Sequence, residues 1–226
     1  MKKAILLLLL FVVPLSVYGW SDLTVKYMVV TSFKTFPEGL RLYLDSERVS
    51  LLKGVESIDE NDFYSVKEVE SFVCKQGKRI EQMIKERKKV RDIAFETGRL
   101  LKGIAILSFP FSFDHSFYRK DYQAYCEYKL DKFIFAFQKL KKRNFETRNC
   151  KSIVKSLYKK SINLKKKILN DYEIYDNSSN FDDLSAAFGS GSLLFSDTCF
   201  AMSEIVSKIW ESVNGSLEGS LILEGR

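Results

Sequence analysis

The sequence predicts an all-α protein, a single multi-helix domain. Apolar residues recur at helical spacing almost everywhere after residue 20. No run of alternating apolar and polar residues is long enough to require a sheet, and Pro37 and Pro110 fall at helix boundaries. An apolar fraction of 46% with 29% charged residues supports one substantial core, which excludes a disordered or purely fibrous chain.

The first segment stands outside that domain. Met1-Lys2-Lys3 is a positive start, Ala4 to Leu15 an apolar stretch interrupted by Pro14, and Val17-Tyr18-Gly19 a small-x-small processing site. Together they read as a signal peptide over residues 1–19, cleaved after Gly19. The apolar run is shorter than the ~20 residues a spanning helix needs. The mature chain then begins at Trp20, its net charge falls from +7 to +5 with the loss of Lys2 and Lys3, and it is exported to a periplasm or to the exterior. The helical domain is assigned to residues 20–214 and a loose tail to 215–226.

Within the domain, Asp22 to Thr35 places Leu23, Tyr27, Val30 and Phe33 on one helical face, and Pro37 opens a short helix carrying Leu40, Leu42 and Leu44. Ser65-Val66-Lys67-Glu68 is a capping box that starts a third helix, with Val69, Phe72, Val73, Ile80, Met83 and Ile84 inward and Gly77 as a candidate break. Helical spacing resumes through Val90, Ile93, Ala94, Leu100, Leu101 and Ile104, and Pro110 stops it. Two basic amphipathic segments, Tyr122 to Lys142 and Thr147 to Asn170, are expected to form an antiparallel hairpin. A polar linker follows from Asp176 to Ser179. A last helix from about Leu193 to Val213 ends at Asn214-Gly215.

Export permits disulfides among Cys74, Cys126, Cys150 and Cys199, with three complete pairings open. The hairpin places Cys126 and Cys150 roughly 20 Å apart, which argues against that pair. Buried free thiols are the alternative. The lysine runs Lys85-Glu86-Arg87-Lys88-Lys89, Lys139-Leu140-Lys141-Lys142-Arg143 and Lys165-Lys166-Lys167 lie on polar helix faces, where solvation is the favoured reading over specific nucleic-acid or anionic-membrane binding.

A single histidine, His115, excludes a His-rich catalytic zinc cluster and any His-His metalloprotease motif. That exclusion matters because four stretches resemble a zinc family. Trp20-Ser21-Asp22-Leu23-Thr24-Val25, Ser57-Ile58-Asp59-Glu60 with Asp62-Phe63-Tyr64, Gly98 to Ser112, and Gln123-Ala124-Tyr125-Cys126-Glu127-Tyr128 follow one another in order. Together they resemble the zinc-dependent phospholipase C and single-strand nuclease superfamily, from Trp20 to about Phe135.

The resemblance implies a helical fold of that type and a metal cluster that polarises a phosphodiester. Where the family has metal-binding histidines, this chain has Val25, Asp62, Lys102, Ser112 and Gln123, and where it has a helix aspartate, Ile106. Trp20, Asp59 and Glu127 match. A His-x-x-x-Asp pair places both side chains on one helix face toward one ion, but the Lys102 ammonium repels a cation and Ile106 has no donor atom.

Lys102 is therefore expected to replace the lost metal charge by pairing with Asp59 and Glu127. His115 reads as a loop residue, with a displaced ligand role as its alternative. Phe109, Phe111, Phe113 and Phe117 are expected in the core, or else around an apolar cleft for a lipid-like ligand.

Three functions follow from these residues. The favoured one is an exported pseudoenzyme of the phospholipase C type with no cofactor, which binds a protein or lipid-like ligand or supports the envelope. The second is a residual phosphoesterase with zinc at Trp20, Asp59, Asp62, Glu127 and His115. The third is a lysine-rich binder of anionic surfaces.

Overall fold

A computed structural model describes residues 19–114, 116–139 and 149–216, which are helical with no strand. The order is α1 (Asp22–Ser32), a 3₁₀ turn (Phe33–Thr35), α2 (Glu38–Asp45), α3 (Arg48–Glu56), a 3₁₀ turn (Glu60–Asp62) and α4 (Val66–Lys85). Then come α5 (Val90–Ser108), α6 (Phe117–Tyr128), α7 (Leu130–Lys139), α8 (Cys150–Tyr175), a 3₁₀ turn (Ser178–Asn180) and α9 (Ala186–Ser212). The all-α class is as expected. The assigned signal peptide up to Tyr18, the tail from residue 217, His115 and the Leu140–Arg143 part of the second lysine run lie outside the described residues.

Two helices form the centre. α5 packs on α3, α4, α8 and α9, while α9 packs on α1, α4, α5, α7 and α8. Both bury most of their length because apolar or small residues occupy nearly all their faces, from Ile93 to Leu107 and from Leu194 to Ile209. One continuous apolar cluster runs from Trp20 to Ile209. Phe109 and Phe111 are fully buried in it, which makes them core rather than a cleft lining.

Several local readings match the structure. Ser65 Oγ accepts the Glu68 N–H at 3.3 Å, the expected cap, while the Glu68 carboxylate reaches one residue past it to accept the Tyr64 N–H at 2.7 Å. The chain leaves α9 with Asn214 at φ 62°, at the expected stop.

Others are corrected. α4 runs unbroken through Gly77, which is buried against Ile209. α1 turns its other face inward: Val25, Met28, Val29 and Ser32 are buried, whereas Leu23, Tyr27 and Val30 are exposed. Both stripes fit the helical period, and the buried one packs on α9, where the Cys199 thiol meets the Met28 carbonyl oxygen at 3.5 Å. The helix expected from Tyr122 to Lys142 is divided at Lys129, which reaches Asp183 at 2.8 Å, while α7 turns Leu130, Phe133 and Phe137 into the core. α9 begins seven residues before the expected Leu193. Ser185 caps it by accepting the Phe188 N–H at 3.0 Å, and the Asp171 carboxylate accepts the Ala187 N–H at 2.5 Å.

Cys74 and Cys150 form a disulfide that joins α4 to the start of α8, across 76 residues of sequence. Cys126 and Cys199 are free and buried, so none of the three complete pairings is made and both open readings hold in part. Burial pushes both thiols well above their ordinary range, which keeps them protonated and unreactive.

Candidate functional site

The positions at which the zinc-family resemblance would put ligands each have a structural account of their own. Trp20 is buried, donates its indole N–H to Ser108 Oγ at 2.8 Å and meets the Phe109 ring edge-on at 5.3 Å. It anchors the start of α1 to the end of α5. Val25 and Ile106 are core residues. Ser112, also buried, donates to the Ile106 carbonyl oxygen at 2.5 Å and so satisfies a backbone acceptor that the end of α5 leaves open.

Lys102 is the unusual member of the set. Its side chain is only 5% exposed, and its ammonium lies 2.6 Å from Asp22 Oδ1. Asp22 belongs to the first turn of α1, where a carboxylate is favoured by the helix dipole, and its own side chain is 58% exposed. The expected idea of an internal cation is therefore met, but the partner differs. Asp22 lies 80 residues away in sequence and belongs to none of the matching metal positions, whereas neither Asp59 nor Glu127 makes an ion pair with Lys102.

Asp59 and Asp62 serve their own turn. Asp59 Oδ1 accepts the backbone N–H and the side-chain amide of Asn61 at 2.9 and 2.8 Å, and Asp62 Oδ2 accepts the Asp59 N–H at 3.2 Å. Both are exposed. Gln123 and Glu127 line a different feature, a shallow groove of about 510 Å³ shared with Leu23, Lys120, Ala124 and Tyr128. Among the described residues, no group of three or more His, Cys, Asp or Glu side chains is placed to hold a metal ion. A zinc cluster does not fit the residues present, since a buried ammonium stands at one ligand position and aliphatic side chains at two others.

A second hollow was not anticipated from sequence. It lies between α3, α4 and α5, measures about 540 Å³ and is lined by Ser50, Lys53, Arg79, Met83, Arg91, Asp92, Phe95 and Glu96. Its most buried member is Glu96, whose side chain is 9% exposed. Arg79 binds one of its oxygens at 3.0 Å. Arg99 binds the other at 3.2 Å, together with the Gln76 amide, which also donates to the Glu96 backbone oxygen at 3.1 Å. Arg99 lies over the Phe72 ring at 5.8 Å. The contributing residues come from three helices at unremarkable spacing, so no local motif marks them.

Compared with known proteins, the chain matches no family model, and neither the curated proteins nor the solved structures give a significant match.

Proposed function

We propose that the chain is an exported binding protein, an inactive relative of the zinc-dependent phospholipase C and nuclease superfamily that acts in the periplasm or outside the cell. The observation that carries this reading is the Lys102–Asp22 ion pair at 2.6 Å. A buried ammonium at a position where that family has a metal ligand replaces the metal's positive charge and repels a cation from the same space. The carboxylates that match the family are directed elsewhere, Asp59 into a turn and Glu127 into an open groove. The Cys74–Cys150 disulfide supports export, since such bonds persist in oxidising compartments. The partner on this reading is a protein or a small ligand held by the helical scaffold, with no cofactor and no specific nucleic acid.

Two assays test the proposal. Expressed with its first 19 residues, the protein is expected outside the cytoplasm with Trp20 as its N-terminal residue; retention of Met1 in a cytoplasmic product would remove the export reading. Purified protein is expected to leave bis(p-nitrophenyl) phosphate intact with or without added zinc. Chelator-sensitive hydrolysis would replace the binding reading with the phosphoesterase one.

A further inference from the structure

The hollow between α3, α4 and α5 concentrates positive charge in a way that a solvated helix face does not. Lys53, Arg79 and Arg91 come from three different helices and line one cavity. Arg79 is held there by the buried Glu96 carboxylate, which uses one oxygen for it and the other for Arg99 and Gln76. A guanidinium carries five N–H donors, so Arg79 keeps donors for a second anion after binding Glu96. Lys53 and Arg91 form no ion pair among the described residues, and Asp92 is the one further carboxylate in the lining. Among the residues that line the cavity, three cations face two carboxylates, an excess of one positive charge.

Two guanidinium groups and an ammonium converging on one space suit a phosphate better than a carboxylate, because a phosphate monoester approaches a dianion and accepts paired N–H donors. Met83 and Phe95 supply an apolar part of the lining. The volume, about 540 Å³, falls in the range of small-molecule sites. We propose that this cavity binds a small phosphate monoester with an apolar body, its phosphate between Lys53, Arg79 and Arg91 and its apolar part against Met83 and Phe95. The proposal deepens the binding-protein reading by naming a ligand class. The export and hydrolysis assays do not depend on it, so the two can fail separately.

Calorimetric titration of the purified protein with phenyl phosphate, inorganic phosphate and benzoate tests it. Phenyl phosphate is expected to saturate one site and to bind more tightly than either of the other probes. Arg91→Ala and Lys53→Ala, both at exposed positions, are each expected to weaken it about tenfold with helical content unchanged, and Lys166→Ala on α8 to leave it unaltered. The proposal is overturned by a lack of saturation, by inorganic phosphate or benzoate binding as tightly as phenyl phosphate, or by an equal loss in Lys166→Ala.

Discussion

Gly54 of α3 and Gly98 of α5 each lie against the other helix's backbone. A Cβ on Gly54 would stand 2.0 Å from the Phe95 carbonyl oxygen, and one on Gly98 would stand 1.9 Å from that of Leu51. The two helices therefore cross at a distance that no side chain permits at these positions. Gly98 also opens one of the stretches on which the family resemblance rests. Its role in this chain is helix packing, and it brings α3 close enough to help form the charged hollow.

Alanine at either glycine must push the helices apart. Gly54→Ala and Gly98→Ala are each expected to destabilise the fold by about 3 kcal/mol or more in urea denaturation. Gly189 of α9 is the contrast, because a Cβ there meets nothing within 4 Å. Gly189→Ala is expected to stabilise by about 0.5–1 kcal/mol through helix propensity. Similar effects at all three positions would contradict the close crossing.

The Lys102–Asp22 pair makes an asymmetric prediction. Asp22→Asn leaves a buried ammonium without its counter-ion, at an expected cost of about 1–2 kcal/mol, reduced from the fully buried case because Asp22 is itself exposed. Lys102→Met removes the charge along with the need for a partner and is expected to lie within about 1 kcal/mol of the parent. A double variant no less stable than Lys102→Met alone would show that Asp22 acts through Lys102. An Asp22→Asn protein as stable as the parent would show that the pair contributes nothing.

Asp114 links stability to pH. Burial raises its pKa, but the hydrogen bonds from Lys165 and the Ser116 N–H, with the Lys165 charge, outweigh that and hold the carboxyl below its ordinary value of 3.8. The folded pKa is depressed, so the contribution is complete above the ordinary value and is lost as pH falls through the folded one. Asp114→Asn, or Lys165→Met, is expected to flatten the fall in stability below about pH 4 and to cost about 0.5–1 kcal/mol at neutral pH. An acid limb unchanged in both variants would exclude the link.

The Cys74–Cys150 bond closes a long loop. Replacing both residues with alanine is expected to cost about 2–4 kcal/mol, in line with the 76-residue separation. Iodoacetamide is expected to leave Cys126 and Cys199 untouched in the folded protein and to label both after unfolding. Labelling of either in the native state would contradict their burial.

How much was legible in the sequence depended on whether the signal was local. The Ser65 cap, the Pro110 stop and the Asn214 terminus rest on chemistry within a few residues and were readable. α3 was missed because its nine residues include Gly54, whose place is set by a helix more than 40 residues away. The inward face of α1 was misread because two apolar stripes share its period and only the packing of α9 distinguishes them. At the candidate site, the family resemblance drew attention to Lys102 as an internal charge, but Asp22 as its partner was not legible, since nothing in the spacing joins residues 80 apart. The Glu96 cluster depends on α4 meeting α5, the hollow around it on α3 as well, and neither had a sequence signature.

Zinc binding by the purified protein tests the central claim most directly. After dialysis against zinc and removal of free metal, the metal content is expected to stay below about 0.1 equivalents per chain, and Lys102→Met alone is not expected to raise it, because no cluster of ligands among the described residues stands ready around that side chain. Retention of about one zinc or more per chain, released by chelator with a loss of stability, would contradict the account.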